Sequence, residues 1–177
     1  MPIIQTVAPE DATGVLAEYY AKIKAMRGGV RNNARLFSAS PELLRQQMDF
    51  IFHYMNHPTL SLPLLAAIRV MVSSGESCDY CVDFNTGMLI NMAGWRPEQV
   101  AAMRVNVADA PFDAKEAAML ALVVKAVRNA AGVTANDLDE LRGLGWSDAD
   151  ILDAVNHGAR MLATDILFNA FKIEKDE

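Results

Sequence analysis

The sequence predicts an all-α protein. Segments with apolar residues at helical spacing follow one another along the chain, and several are closed by glycine or proline. Two begin with a capping residue and carry an acid three positions later, namely Thr134 with Asp137 and Ser147 with Asp150. No stretch alternates apolar and polar residues as a half-buried strand does. With 177 residues and no long linker, we expect one domain spanning residues 1–177.

The first half of the chain predicts three helices. The first has apolar residues at helical spacing and ends at Gly28. The second, in "SPELLRQQMDFIFHYMNHP", has Ser40 as its cap and Pro41 at its first position, where the missing N–H is harmless, and it ends before Pro58. A third apolar helix is expected from about Leu62 to Val72.

The second half continues the pattern. The segment that bears the two cysteines ends near Gly94, and "RPEQVAAMR" predicts a short helix after it. Asp113 followed by Glu116 predicts a capping box on a helix that is apolar almost all round and therefore buried. Shorter helices are expected after Thr134, and a long final one after Ser147.

The final helix has two apolar faces at 100° per residue. One contains Ile151, Val155, Leu162 and Ile166, and the other contains Met161, Phe168 and Phe171. A helix of this kind packs against two neighbours. Since 52% of the residues are hydrophobic, the pattern favours a homo-oligomer, with a wholly internal helix as the alternative.

Charge and composition exclude several partners. The chain has 16 basic and 22 acidic residues, a formal charge of −6, and its basic residues are scattered, so nucleic acid is not expected to bind. The longest apolar run is interrupted by Pro63 and Arg69 and is too short for a bilayer, so no membrane partner is expected. Without a signal-peptide pattern and with two cysteines, the protein is expected to be cytoplasmic.

The two cysteines, Cys78 and Cys81, are three positions apart near a predicted helix start. A helix N-terminus lowers a thiol pKa, because its unpaired N–H groups and dipole favour the thiolate. A C-x-x-C pair also allows one sulfur to resolve a sulfenate or mixed disulfide on the other. Thiol–disulfide exchange or peroxide reduction is the chemistry implied, and two buried structural cysteines are the alternative.

A metal site is a third possibility. His53 and His57 lie at i and i+4, and with Cys78 and Cys81 they make the inventory of a four-ligand zinc site. Nothing in the sequence brings the two pairs together, and a chain of this length needs no structural metal. We therefore predict no cofactor and no metal.

The segments around the cysteines resemble a known family. The run "LPLLAAIRVMVSSGESCDYCVDFNTGMLINMAGW", with the opening "MPIIQTVAPEDATG" and the closing "GWSDADILDAVNHGARMLATDILFNAF", is similar to the AhpD-like superfamily, which includes alkylhydroperoxidase D and carboxymuconolactone decarboxylase proteins. The resemblance implies a helical bundle whose core contains the cysteine-bearing helix, and subunits that form dimers, trimers or larger rings.

In the peroxidase members, the resemblance implies a resolving first cysteine and a second cysteine that is oxidised to sulfenic acid, here Cys78 and Cys81. The family also has a Glu twelve residues before the first cysteine and a His four residues after the second. These positions are Ala66 and Asn85 in this chain, and Tyr80 lies between the cysteines. The proton relay of the family is therefore missing.

An amide cannot exchange a proton near neutral pH as an imidazole can, so Asn85 can only orient a water or a sulfenate. Glu76 is a candidate replacement, although an acid at a helix start is more often a partner of the helix dipole. His157, on the final helix, is a second candidate.

The functional expectation is a thiol-dependent peroxidase or thiol–disulfide oxidoreductase with weakened activity. Its substrate would be a hydroperoxide or a disulfide, and an external thiol would return the electrons. The alternative is a non-catalytic or redox-sensing oligomeric member. A lactone decarboxylase is disfavoured, because that branch of the family generally lacks the cysteine pair.

Overall fold

The computed structural model describes residues 2–176, and the predicted all-α fold is confirmed: this part of the chain contains helices and no strand. In chain order the α-helices are α1 (Gly14–Arg27), α2 (Asn32–Phe37), α3 (Pro41–Met55), α4 (Leu62–Gly75), α5 (Asp79–Asn91), α6 (Pro97–Val105), α7 (Ala114–Arg128), α8 (Ala135–Gly143) and α9 (Asp148–Ala170). The sequence predicts all of them except α2. None of the helices in the described range is both long and apolar enough to cross a bilayer.

The helices form two compact units. One comprises the described residues up to His57 together with those from Leu167 onward, and the other runs from Pro58 to Ile166. The second unit contains α4 to α8 and most of α9, including both cysteines. The expectation of one domain over residues 1–177 remains a prediction.

The first unit has its own apolar core, in which α1 packs against α3. The buried side chains are Leu16, Tyr20, Ile23, Ala34, Leu44 and Met48. Gly28 ends α1 in the left-handed region at φ 77°, as the sequence predicts. Pro41 is the first residue of α3, as predicted, but the side chain of Ser40 makes no capping hydrogen bond.

In the second unit, α4 is the central helix and packs against α5, α6 and α7. Every residue from Leu64 to Val72 is buried except Arg69. Ser61 begins α4 by accepting a hydrogen bond from the N–H of Leu64 at 3.2 Å. The cysteine-bearing α5 therefore lies against the most buried helix of its unit.

The capping predictions for α7 and α8 hold with one correction, at α7. Asp113 caps α7 by accepting from the N–H of Glu116 at 2.8 Å. The Glu116 carboxylate accepts a hydrogen bond from the Ser61 hydroxyl at 2.5 Å, and this contact joins the first turns of α7 and α4. The predicted capping box at α7 is therefore only half formed. The capping box at Thr134 is present, and in its reciprocal bond the N–H of Thr134 donates to the Asp137 carboxylate at 2.7 Å.

The two faces of α9 differ in burial. Ile151 and Met161 are buried, whereas Val155 and Leu162 are half-buried and Ile166 is exposed. Ile151 therefore lies on the inner face, in contrast to its predicted grouping with Val155, Leu162 and Ile166.

Gly158 allows α9 to approach α7 closely. A Cβ at this position would lie 2.6 Å from Val123 Cγ1 and 3.2 Å from Val127 Cγ2, closer than side chains pack. We predict that Gly158→Ala lowers the free energy of unfolding by about 1–3 kcal/mol, because overpacking outweighs the better helix propensity of alanine.

Urea denaturation would measure this effect, with Gly87→Ala as the matched control. A Cβ at Gly87 meets only Asn91 Nδ2 at 3.8 Å, so this variant should gain about 0.5–1 kcal/mol from helix propensity. Equal stability of Gly158→Ala and the natural protein would contradict close packing at this point.

Candidate active site

A tight turn connects α4 to α5 and positions the first cysteine. The N–H of Cys78 donates to the carbonyl of Ser73 at 3.1 Å, and Ser77 has a left-handed backbone with φ 54°. This is the hydrogen bond of a Schellman motif, in which the left-handed position is usually glycine. A residue with a side chain pays about 1–2 kcal/mol for that conformation. The same turn makes Cys78 the N-cap of α5.

Both thiols are free and buried, and they lie at the start of α5, near the helix start that the sequence predicts. Cys78 is 1% exposed and Cys81 is 3% exposed. Their sulfurs lie within 4.8 Å of each other. The pair can therefore close to a disulfide with a small local movement, since a disulfide requires an S–S distance of about 2.05 Å.

The third member of the site is Asp165, which the sequence analysis missed. Its side chain comes from α9, is 0% exposed, and places a carboxylate oxygen within 4.8 Å of both sulfurs. Oδ1 accepts a hydrogen bond from the Ser73 hydroxyl at 3.0 Å. Within the described part of the chain, the buried Oδ2 has no nitrogen or oxygen donor at hydrogen-bond distance.

The cluster changes the acidity of its members. The hydrogen bond with Cys78, burial and the negative charge of Asp165 raise the pKa of the Cys81 thiol above its usual range. Burial also raises the pKa of Asp165; hydrogen bonds from Cys81, Ser73 and Cys78 oppose this, and the charge of Glu76 adds to it. At Cys81 these effects outweigh the lowering of the thiol pKa that is expected from the helix N-terminus.

The side chain of Asn85 hydrogen-bonds to the backbone of α5 and to a residue of α4. Its amide N–H donates to the backbone carbonyl of Cys81 at 2.8 Å, and its oxygen accepts from Arg69 Nε at 2.6 Å. Arg69 also contacts His157 Nε2 through Nη1 at 3.0 Å. Asn85 thus supports the backbone of α5, and His157 belongs to this buried polar network.

The remaining predicted site residues lie around the cluster. Ala66 is fully buried in α4, where a larger side chain would have to displace its neighbours. Tyr80 is buried and stacks on Phe84, with ring centroids 6.3 Å apart. Glu76 follows the last residue of α4 and is exposed, so it acts on the site through its charge.

The ligand set at the cysteines differs from the one considered from the sequence. The potential metal-ligating group that contains Cys78 and Cys81 is completed by Asp165. His53 and His57 belong to the other compact unit, and the Cys2His2 zinc site stays an untested alternative. A structural zinc site takes four protein ligands, and three side chains form this group in the described chain. We interpret the group as an acid cluster.

A groove of about 300 Å³ lies beside the turn that precedes Cys78. Its lining residues come from the ends of α4 and α7: Met71, Val72, Gly75, Glu76, Val124, Val127 and Arg128. The apolar members form its walls, while Glu76 and Arg128 supply opposite charges. Glu76 lines this groove and also lies two positions before Cys78 in the chain.

The fold and site define an all-α protein with a buried C-x-x-C dithiol at a helix N-terminus. Residues 41–125 match the sequence model of the carboxymuconolactone decarboxylase family. This segment contains α3 to α6, most of α7 and both cysteines. The resemblance predicted from the sequence is confirmed. No curated protein sequence gives a significant match.

Solved structures share the fold. An uncharacterized peroxidase-related protein from Silicibacter sp. TM1040 is 24% identical, with a TM-score of 0.82, covering 99% of this chain and 94% of its own. An alkylhydroperoxidase AhpD core protein from Ralstonia eutropha JMP134, also peroxidase-related, is 18% identical, with a TM-score of 0.87 and coverages of 99% and 93%. A protein of unknown function from Agrobacterium tumefaciens is 20% identical, with a TM-score of 0.67 and coverages of 80% and 95%.

The buried carboxyl predicts a characteristic pH dependence of stability. A carboxyl whose pKa is raised on folding favours the folded state below its unfolded pKa, and this contribution is lost as the pH rises through the folded pKa. For Asp165 the pKa is raised, so ionisation opposes folding at neutral pH. Asp165→Asn keeps an oxygen for the Ser73 hydroxyl and removes the charge. We predict that it is more stable than the natural protein at pH 7.

Urea denaturation of the reduced proteins from pH 4 to pH 8 would test this. The advantage of Asp165→Asn should grow with pH through the titration of the carboxyl. Asp153→Asn, a change of the same charge on the same helix, is the control. A variant that is less stable at pH 7 and equally stable at pH 4 would show that the ionised carboxylate is stabilising, contrary to this account.

Proposed function

We propose that this protein is a thiol-dependent peroxidase that uses Cys78 and Cys81 as a reversible dithiol–disulfide couple. The observation that carries the proposal is the placement of both sulfurs within 4.8 Å at the start of one buried helix. The chain has no other cysteine, so any intramolecular disulfide must join these two. The peroxidase-related names of the proteins with this fold support the same reaction class.

The reaction has three balanced steps. The Cys81 sulfur attacks the hydroperoxide oxygen, the O–O bond breaks, and an alcohol leaves while Cys81 becomes a sulfenic acid. The Cys78 sulfur then attacks the sulfenic sulfur, forming the disulfide and releasing water. Two equivalents of an external thiol, or one dithiol, then reduce the disulfide, restore both S–H groups and leave as the external disulfide. The roles of the two sulfurs follow the family pattern.

The burial of the site bears on rate and substrate. Both thiols are nearly inaccessible, so a hydroperoxide reaches them only when the structure opens locally. The left-handed Ser77 sits in the turn that would have to move, and the adjacent groove has apolar walls. We therefore expect a small organic hydroperoxide as substrate, and a reducing compartment such as the cytoplasm as the setting for the free thiols.

The second candidate function is a redox sensor. It is favoured by the raised pKa of Cys81 and by the burial of both sulfurs, because each lowers the rate at which a thiolate meets a peroxide. A sensor would use the same disulfide with slow closure and no turnover. Hydroperoxide consumption in the presence of a thiol donor separates the two functions.

We predict that hydroperoxide treatment of the reduced, folded protein closes a Cys78–Cys81 disulfide that dithiothreitol reopens. Cys81→Ser should abolish hydroperoxide consumption. Cys78→Ser should retain one reaction per chain and leave a Cys81 sulfenic acid that dimedone traps, because the resolving thiol is missing. Alkylation followed by mass spectrometry measures each product, and stopped-flow mixing measures the rate.

Two outcomes would change the assignment. If both thiols stay free after treatment of the folded protein with hydroperoxide and with diamide, the cysteines are structural and the redox function is wrong. If diamide closes the disulfide while hydroperoxide is not consumed, the sensor function replaces the peroxidase.

We also propose that the protein is a homo-oligomer that uses the outer stripe of α9. The stripe consists of Leu152, Val155, Ala159, Leu162 and Ile166, spaced alternately by three and four residues as in a helix-pairing seam. Leu152 is 70% exposed and Ile166 is 56% exposed. A second copy of the chain would remove these side chains from water.

Sedimentation velocity at micromolar concentration should give a mass above that of one chain. Leu152→Lys combined with Ile166→Lys should shift the protein to the single-chain mass, because two charges would be buried in the interface. Val105→Lys, which changes an 89% exposed residue of α6, is the control and should leave the mass unchanged. A natural protein that sediments as a single chain would contradict the oligomer.

A further inference from the structure

Peroxide reduction by a thiol requires a proton carrier. The thiol must lose its proton as the sulfur attacks, and the leaving oxygen must gain one. At the relay positions of the family this chain has Ala66, which cannot carry a proton, and Asn85, whose amide is bound to Arg69 and to the backbone of Cys81. The proton carrier must therefore come from another part of the chain.

Asp165 is the acid that meets the geometric requirement. It is fully buried, and one of its oxygens lies within 4.8 Å of both Cys78 and Cys81. Ser73 holds Oδ1 at 3.0 Å, which leaves Oδ2 as a buried acceptor without a well-formed hydrogen bond in the described chain. A buried acceptor of this kind lowers the stability of the folded state and therefore calls for an explanation, which a role in proton transfer to the two neighbouring thiols would supply.

We propose that Asp165 carries the protons of the peroxidase reaction, an inference that rests on the proposed function. In the first step its carboxylate takes the proton from the Cys81 thiol and passes it to the alkoxide oxygen as the O–O bond breaks. In the second step it takes the proton from the Cys78 thiol and passes it to the hydroxyl that leaves Cys81 as water. The carboxylate is regenerated after each step.

The charged surroundings of Asp165 suit this role. The titratable groups that act on it are Cys78 and Cys81 from α5 and Glu76 from the end of α4, all of them acids. Arg69 on α4 and His157 on α9 contact each other. A carboxyl is intrinsically a stronger acid than a thiol, with reference pKa values of about 3.9 and about 8.5.

The test is the pH dependence of hydroperoxide consumption from pH 5 to pH 10 by stopped flow. We expect Asp165→Asn to lower the rate at pH 7 by about 10²–10⁴-fold, the usual contribution of a positioned acid–base group. Its rate should then rise tenfold per pH unit as hydroxide forms the Cys81 thiolate, and approach the natural rate at alkaline pH. Asp165→Glu, which keeps a carboxyl, should recover part of the loss.

Two controls separate proton transfer from structure. Asp153→Asn, with the same charge change on the same helix, should keep the natural rate and profile. Ser73→Ala removes the hydrogen bond to Asp165 Oδ1 and leaves both cysteines unchanged. It should lower the rate of hydroperoxide consumption less than Asp165→Asn does, and its pH–rate profile should keep the natural shape. Thermal unfolding and diamide closure of the disulfide establish that each variant is folded and redox-competent.

The outcomes are distinct. If the natural protein consumes hydroperoxide and Asp165→Asn is equally fast or faster at pH 7, the carboxyl only repels the thiolate, and the inference is wrong while the proposed function stands. If the natural protein consumes no hydroperoxide under any condition, the proposed function fails and the inference fails with it. A pH 7 loss that alkaline pH restores supports proton transfer.

Discussion

The geometry of the site depends on Ser73, which makes hydrogen bonds to both Cys78 and Asp165. The backbone carbonyl of Ser73 accepts the N–H of Cys78, and its hydroxyl donates to Asp165, at 3.1 and 3.0 Å. One buried residue of the central helix therefore fixes both the start of the cysteine helix and the carboxylate of α9. The turn through Ser77 and the N-cap position of Cys78 follow from the first of these bonds.

Cys78, Cys81 and Asp165 are three acidic groups in one buried cluster, so the protonation state of each depends on the others. The charge of Asp165 disfavours the Cys81 thiolate, and burial disfavours the charge of Asp165 itself. The dipole of α5 favours a thiolate at its first turn, but a helix end contributes only about 0.3–1 kcal/mol, up to about 2 when partly buried. The hydrogen bond with Cys78, burial and the neighbouring carboxylate outweigh the dipole at Cys81, so this thiol keeps its proton at rest.

The sequence predicted the helices well because their caps and stops are local. Asp113, Thr134 and Pro41 each act within one helical turn, and the cysteine spacing is also local. Asp165 was missed because it is 92 positions from Ser73 in the chain and meets it only through packing. A signal was present: in "LATDILF" an acid stands within an apolar run, and on the inner face of a helix such an acid must have a partner. No local signal indicates the left-handed Ser77.

The central claim is that Asp165 shares the protons of the dithiol site. Carbon-13 NMR titration of aspartate carboxyl groups in the reduced protein measures this directly, with Asp165→Asn to assign the signal. The account predicts that Asp165 titrates well above the ordinary value of about 3.9. It also predicts that the carboxyl signal responds again when Cys81 ionises at higher pH. The account would be contradicted if the Asp165 carboxyl titrated at the ordinary pKa and its NMR signal showed one transition only, with no response when Cys81 ionises.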